Sequence, residues 1–263
     1  MIELKNVGIT LSSKGSEKFS LENINLKVDG EKVIILGPNG SGKTTLIRAI
    51  SGLLPYTGSI LIDGNEVRKI RNYTGYSTNL QEAYEIGITV KDVVYLYEEF
   101  KGLDSELFLE IIKALNLSNE ILNKKLYVLS AGQSVLVRTT LALASRPKIF
   151  GLDEPFENVD AARRFVISRY IKEYGKEGIL VTHELDMLSL YKDYKAYFLV
   201  GNKLQGPVSV SELLESSIVE GERRDALLTL EVMGKKISIV KGDTGMKFGA
   251  LGSLNRLYGI ISA

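Results

Sequence analysis

The segment Gly37-Pro38-Asn39-Gly40-Ser41-Gly42-Lys43-Thr44 constrains this chain more than any other. It follows a short, fully apolar run, Val33 to Leu36, and opens a stretch with helical spacing, Lys43 to Ser51, with Gly52 placed as a C-terminal cap. A buried strand feeding a glycine-rich turn and then a helix makes successive backbone N–H groups converge, because glycine permits conformations and approaches that a side chain would block. The helix N-terminus adds partial positive charge at the same point. Such a loop cradles phosphates. Lys43 brings a cation to the outer phosphates and the Thr44 hydroxyl is a ligand for Mg²⁺. The loop from Gly37 to Thr44, with Thr45 after it, is therefore the candidate nucleotide site, and ATP and Mg²⁺ are the expected cofactors.

The remaining composition narrows the partners. At 263 residues, 44% hydrophobic and 25% charged, the chain has room for one large α/β domain and a small appendix. It has no cysteine, which excludes disulfides, thiolate-bound zinc and iron–sulfur clusters. A net charge of +1 with no basic stripe argues against a nucleic-acid backbone as the main ligand. No run approaches the ~18 apolar residues of a membrane span. Glu3 and Lys5 interrupt an alternating, strand-like start, unlike a signal peptide.

Alternation predicts strands over Ile2 to Leu11 and Phe19 to Val28, with polar turns at Ser12 to Ser16 and Asp29-Gly30. Further strands are expected around Ser59 to Ile62, Tyr73 to Tyr76, Lys148 to Leu152, Gly178 to Val181 and Ala196 to Val200, with helices at Gly132 to Ala144 and Ala161 to Tyr174. From Thr89 to Leu126 the spacing is helical, as in Val90, Val93, Val94 and then Leu107, Ile111, Ile112. The expected fold class is α/β: a P-loop NTPase core with a mostly parallel sheet, an N-terminal antiparallel β-subdomain, an inserted α-helical subdomain at about 77–130, and a small C-terminal appendix. The nucleotide-binding domain would occupy 1–215. The accessory module, 216–263, would hold a hairpin (Asp225 to Val232, Lys235 to Val240) turned at Gly234, followed by the glycine-rich stretch Gly242 to Ile260, with no catalytic motif.

A second acidic element completes phosphate chemistry. Ile149-Phe150-Gly151-Leu152-Asp153-Glu154 is an apolar strand ending in two carboxylates. Asp153 would face the metal through water, and Glu154 would polarise the attacking water as general base. Upstream, Leu129-Ser130-Ala131-Gly132-Gln133 opens a helix that Ser130 is also suited to cap. Glu157-Asn158-Val159-Asp160 follows the acidic strand, and the only histidine, His183, stands just past the run Ile179-Leu180-Val181.

In this order and spacing the motifs resemble those of the nucleotide-binding subunits of ATP-binding cassette (ABC) ATPases, over roughly residues 1–215. The resemblance implies that Ser130, Gly132 and Gln133 belong to the signature segment that closes on the ATP of a second protomer, Ser130 and the Gly132 backbone gripping its γ-phosphate. It implies that Asp160 couples the two sites and that His183 contacts the γ-phosphate. Lys43, Glu154 and His183 are then the catalytic set; Thr44, Asp153 and Asn79 are the metal set. Asn79 enters because Gly75-Tyr76-Ser77-Thr78-Asn79 places an asparagine where the family usually has glutamine. Its amide is one methylene shorter, so either Asn79 or Gln81 is a candidate for that role. Other departures are the absence of an aromatic residue at 8–13, where Leu11 aligns with the usual adenine-stacking position and Phe19 is the substitute candidate, and Ala131 in place of a glycine. Base preference is left open between ATP and GTP. Gly151 within an apolar strand suggests a closely packed neighbour.

The same resemblance bears on what the ATPase drives. A motor subunit of a membrane transporter would sit at the cytoplasmic face of the membrane, receive its permease at the helical insertion and pair with a second cassette, identical or paralogous. Thr89-Val90-Lys91-Asp92-Val93-Val94 resembles a stretch of importer subunits, including those for metal and vitamin uptake. Lys124-Lys125-Leu126-Tyr127-Val128 lacks the Glu-Arg-Gly-type loop of many exporters. Both favour import. The alternative is a permease-free ABC ATPase of translation, DNA repair or chromosome maintenance. Those relatives tend to carry paired cassettes, coiled-coil insertions, cysteine clusters or basic arms, none of which this chain shows. Cargo choice would lie in the permease.

Overall fold

The computed structural model describes residues 1–11, 19–85, 88–232, 234–252 and 254. The turn expected at Ser12 to Ser16 lies outside them, as do residues 253 and 255–260 of the C-terminal glycine-rich stretch. The chain forms two compact units, one from Met1–Lys69 with Ile179–Ala263 and the other from Ile70–Gly178.

In the first unit, β1 (Ile2–Leu11) and β2 (Phe19–Val28) pair antiparallel, with Ile2 opposite Val28 and Leu11 opposite Phe19. Ile2 and Leu4, and then Val7 and Ile9, are buried at period-two spacing, with a register shift between Leu4 and Val7 that returns the apolar side chains to the inner face. β3 (Lys32–Leu36), buried from Val33 onward, leads through the phosphate loop into α1 (Lys43–Ile50). β4 (Thr57–Ile62) joins the other side of β1, and β5 (Asn65–Glu66) folds back on β4.

The second unit begins with β6 (Tyr76–Thr78) and continues with α2 (Val90–Lys101), α3 (Ser105–Ala114), α4 (Ala131–Ala144), β7 (Ile149–Asp153) and α5 (Ala161–Glu173). β6 and β7 are parallel, with Tyr76, Ser77 and Thr78 opposite Ile149, Phe150 and Gly151. The strand expected from Tyr73 starts only at Tyr76, because Thr74 and Gly75 form a turn in which Gly75 packs on the Tyr73 ring. Helix boundaries follow local chemistry. Thr89 and Asp92 cap α2 reciprocally, through bonds of 2.8 and 3.2 Å, and Gly102 ends it at φ +69°. Asp104 caps α3 by accepting from the Leu107 N–H at 2.9 Å. Lys101, at the end of α2, donates to the Tyr76 carbonyl (2.7 Å) and Ser77 Oγ (2.8 Å); burial pulls its ammonium down to about 8.

The chain returns through β8 (Glu177–Thr182), β9 (Lys195–Val200), β10 (Lys203–Ser209) and α6 (Val210–Leu214). β3 stands between β9 and β8, parallel to β9 with Val33 opposite Lys195, while β10 is antiparallel to β9. The C-terminal segment is a four-stranded antiparallel sheet. It contains β11 (Ser216–Glu220), β12 (Ala226–Val232), β13 (Lys235–Lys241) and β14 (Met246–Lys247), in the order β12-β13-β11-β14. The hairpin expected at Gly234 is β12–β13, and Gly234 has φ +78°. Phe248 packs edge-on against Phe198 of β9, with ring centroids 6.0 Å apart. Gln205 of β10 accepts from the Glu231 N–H at 3.0 Å, tying β12 to the core.

The glycine inside β7 has a packing cause. A Cβ at Gly151 would collide with the Tyr76 hydroxyl from β6. Gly151→Ala is expected to cost about 1–3 kcal/mol through overpacking, read by urea unfolding. Combining it with Tyr76→Phe removes the colliding oxygen and should recover most of that loss. Strictly additive losses in the double variant would contradict this.

Candidate nucleotide site

The phosphate loop belongs to the first unit. A Cβ on Gly37 would lie 2.5 Å from Ser41 Oγ and 2.6 Å from the Leu199 carbonyl, so the loop leaves β3 where only glycine fits. Gly40 and Gly42 have φ of +80° and +97°, left-handed conformations that disfavour side chains. Gly42 is the N-cap residue of α1. No side chain caps this helix and no acid lies in its first turn, so its leading N–H groups and dipole favour an anion. Lys43 is 5% exposed and donates to the carbonyls of Gly37 (2.7 Å) and Pro38 (3.0 Å). Ser41 Oγ is buried with no hydrogen-bond partner among the described residues. Asn39 and Gly40 are exposed; Thr44 and Thr45 are half-buried in the first turn of α1. These features fit a phosphate chain, which would supply the acceptors that the helix end and the Ser41 hydroxyl lack.

Two other expected residues lie near this loop. The Gly37 N–H approaches the Thr182 carbonyl at 3.4 Å, which brings the end of β8, and His183 after it, alongside. His183 is half-buried. Phe19 stands against the loop: a Cβ on Gly42 would be 2.6 Å from its ring Cζ. Leu11, paired with Phe19 across β1 and β2, is exposed.

The acidic strand end belongs to the second unit. Asp153 closes β7, and Glu154 comes next at φ +41°, left-handed although it carries a Cβ. Both are half-buried. Asn79, 2% exposed, donates from Nδ2 to the Asp153 carbonyl (2.9 Å) and Thr139 Oγ1 (3.2 Å), while its Oδ1 accepts from the Asp153 N–H at 2.7 Å. Of the two amides that motif spacing leaves open, Asn79 is at the acidic end, and Gln81 is exposed along a groove.

The signature segment and the segment after the acids are locked together in this unit. Ser130 Oγ accepts from the Gln133 N–H (3.3 Å) and Gln133 Oε1 accepts from the Ser130 N–H (3.2 Å), a reciprocal cap at the start of α4. A Cβ on Gly132 would collide with the Asn158 carbonyl. Asp160 caps α5, accepting from the Arg163 N–H at 3.1 Å, and pairs with the Arg163 guanidinium at 3.1 Å. The Arg163 N–H, and after it the Arg163 charge, holds the Asp160 carboxyl below the usual range.

Motif spacing did not single out Arg138. It sits within the apolar helix α4 and donates to the Asn79 carbonyl at 2.9 Å. Burial lowers its guanidinium pKa. The one charged side chain between Val135 and Leu143 is the signal that marks it. Arg138 also lines a groove of about 710 Å³ with Gln81, Tyr84, Leu126, Tyr127 and Val135.

Comparison with known proteins shows the family and the fold. Residues 21–157 match the family described as ABC transporter. A phosphonates import ATP-binding protein of Oceanobacillus iheyensis is 31% identical over 84% of this chain and 93% of its own. A crystal structure described as that of a cobalt transport ATP-binding protein is 82% identical, with a TM-score of 0.95 over 99% of this chain and 100% of that one. A dimeric bacterial ABC transporter cassette is 27% identical, with a TM-score of 0.67 over 80% of this chain and 99% of that one; a second structure of that cassette holds ADP and phosphate. The chain belongs to the ABC transporter family. It is an ATP-binding subunit of that family, a transport ATPase with the ABC ATPase fold. No helix among the described residues is long and apolar enough to cross a membrane.

Proposed function

We propose that this chain is the ATP-hydrolysing motor of an importer, bound peripherally at the cytoplasmic face of the membrane to separate permease subunits. Residues 1–215 would form the cassette and 216–263 an accessory module. The observation that carries the reading is the phosphate loop: an uncapped helix end, two left-handed glycines and a buried Ser41 hydroxyl without a partner converge beside Lys43.

Two cassettes would enclose ATP, the loop Gly37 to Thr45 of one meeting Ser130, Gly132 and Gln133 of the other. The dimeric cassette supports this arrangement. Thr44 and Asp153 are the proposed Mg²⁺ ligands, with Asn79 at the shoulder of Asp153. Hard oxygen donors suit that ion. Among the described residues no group of three or more His, Asp or Glu side chains is placed to hold a metal alone, which fits an ion sharing its shell with phosphate oxygens. When bound, Mg²⁺ would neutralise charge on the β- and γ-phosphates. Glu154 takes a proton from the attacking water, Lys43 and the loop N–H groups stabilise charge on the phosphoryl oxygens, and His183 contacts the γ-phosphate. Asp160 links the two sites.

The permease would dock at the second unit's groove, beside which Ile88 and Tyr127 are 66% and 76% exposed. Apolar surface of that kind, with polar side chains among it, is typical of a protein contact. The relatives named for phosphonate import and cobalt transport support uptake, and the 82%-identical structure favours a metal cation as cargo class.

Glu154→Gln should leave ATP binding intact, lower steady-state hydrolysis by at least about 100-fold and accumulate a closed dimer. Appreciable hydrolysis by this variant would sink the general-base assignment. The docking reading is tested by purification from detergent-solubilised membranes. Ile88→Glu with Tyr127→Glu should abolish recovery of an integral membrane subunit that the unmodified chain brings down. Undiminished recovery would place the contact elsewhere. Nucleic acid in place of a membrane subunit with the unmodified chain would favour a permease-free ATPase.

A further inference from the structure

The Asn79 amide is committed on both sides. Its NH₂ group has two protons, directed to the Asp153 carbonyl and to Thr139 Oγ1, and its oxygen accepts from the Asp153 N–H. The backbone pairing of β6 with β7 stops at Thr78 opposite Gly151. One residue later, the Asn79 side chain takes over, bonding the N–H and the carbonyl of the same residue, Asp153, as a neighbouring strand would. Glutamine would carry the amide one methylene further from its backbone.

The residue after Asp153 gives this contact a purpose. Glu154 is left-handed, a conformation unfavourable for a residue with a Cβ, and such residues persist where surrounding structure over-determines them. Fixing both polar groups of Asp153 fixes the peptide that carries Glu154. Asn79 is in turn gripped from α4 by two consecutive residues. Arg138 donates to its carbonyl at 2.9 Å, and Thr139 accepts from its side chain. Arg138 also bonds back to the Ser134 carbonyl, at 3.3 Å, one turn nearer the Ser130 cap.

We propose that Asn79 is a positioning residue. Held by Arg138 and Thr139, it sets the Asp153 peptide and thereby aims Glu154, and it is not a ligand of the metal. This rests on the reading of Glu154 as the base. It also gives α4 a route to the acids: the helix that starts at the signature cap and lines the groove is tied to the strand end through a single buried amide.

Steady-state ATPase rates of the full-length protein, measured across Mg²⁺ concentrations, test this. Asn79→Ala should lower kcat by about 10–100-fold, the effect of misplacing a reacting group by about 1 Å. KM for ATP and the Mg²⁺ concentration giving half-maximal rate should stay within about twofold of the parent. Asn79→Asp keeps an acceptor but loses both donors and sets a carboxylate against the Asp153 carbonyl, so its kcat should fall as far. A metal ligand would behave oppositely: Asp at 79 would hold the rate and lower the Mg²⁺ requirement, and Ala would raise that requirement. Either outcome, or an unchanged kcat, overturns the proposal. If the Asn79 variants do not fold, Thr139→Val and Thr139→Ser carry the test. Val should lower kcat several-fold and Ser should restore it; equal rates in the two would contradict the clamp. Glu154→Gln run in parallel separates the two readings: its retained activity would remove the base, whatever Asn79 does.

Discussion

The phosphate end of this protein depends on keeping the backbone between Gly37 and Gly42 clear of side-chain bulk. Gly37 is wedged between Ser41 and the Leu199 carbonyl, and Gly40 and Gly42 occupy conformations closed to most residues. The buried strand β3 anchors one end of the loop and the buried face of α1 the other. With both ends fixed, the turn has little freedom, and its N–H groups are organised before any ligand arrives. The cost is a buried Ser41 hydroxyl with no hydrogen-bond partner among the described residues and a helix end that no side chain caps. Lys43 lies back on the Gly37 and Pro38 carbonyls, which gives a buried ammonium hydrogen-bonding partners and braces the loop. A polyanion matches this site better than any other class of ligand does.

The acidic end meets a different problem, two adjacent carboxylates at the tip of a buried strand. Close backbone approaches settle it. Gly151 lets the Tyr76 hydroxyl lie on β7, and Gly132 lets α4 rest on the Asn158 carbonyl. The signature helix, the acidic strand and the segment leading to Asp160 therefore share one packed arrangement within the second unit. In such an arrangement, a rotation of α4 moves its neighbours too, because packed interiors shift between discrete states more readily than they deform.

Much of this was legible in the sequence because it is local. The phosphate loop, the alternation in β1 and β2, the helical spacing that begins at Thr89 and the hairpin at Gly234 are each set by neighbours within a few residues. Gly151 announced a close neighbour without naming it. Long-range pairings were not legible. Asn79 finds Asp153 across 74 positions, and no periodicity carries that information. Arg138 looked like one charged residue in an otherwise uncharged helix, and its partner is 59 positions away. β11 could not be placed between β13 and β14 for the same reason. Strand β6 starts later than apolar content suggests because the turn at Thr74-Gly75 overrides it. Ser130 carried two meanings at once, helix cap and signature residue. The structure shows the cap, and the second meaning rests on a partner chain.

That partner is central to the proposed function, in which a cradle for phosphates on one chain would acquire its second wall from another. The absence of cysteine makes a direct measurement possible. Asn39 and Ala131 are both exposed, the first on the phosphate loop and the second inside the signature segment. In a chain carrying Asn39→Cys with Ala131→Cys, and with hydrolysis halted by chelating Mg²⁺, oxidation should give a covalent dimer that forms only with ATP. A cross-link within one chain, or a dimer formed equally well without nucleotide, would contradict the composite site.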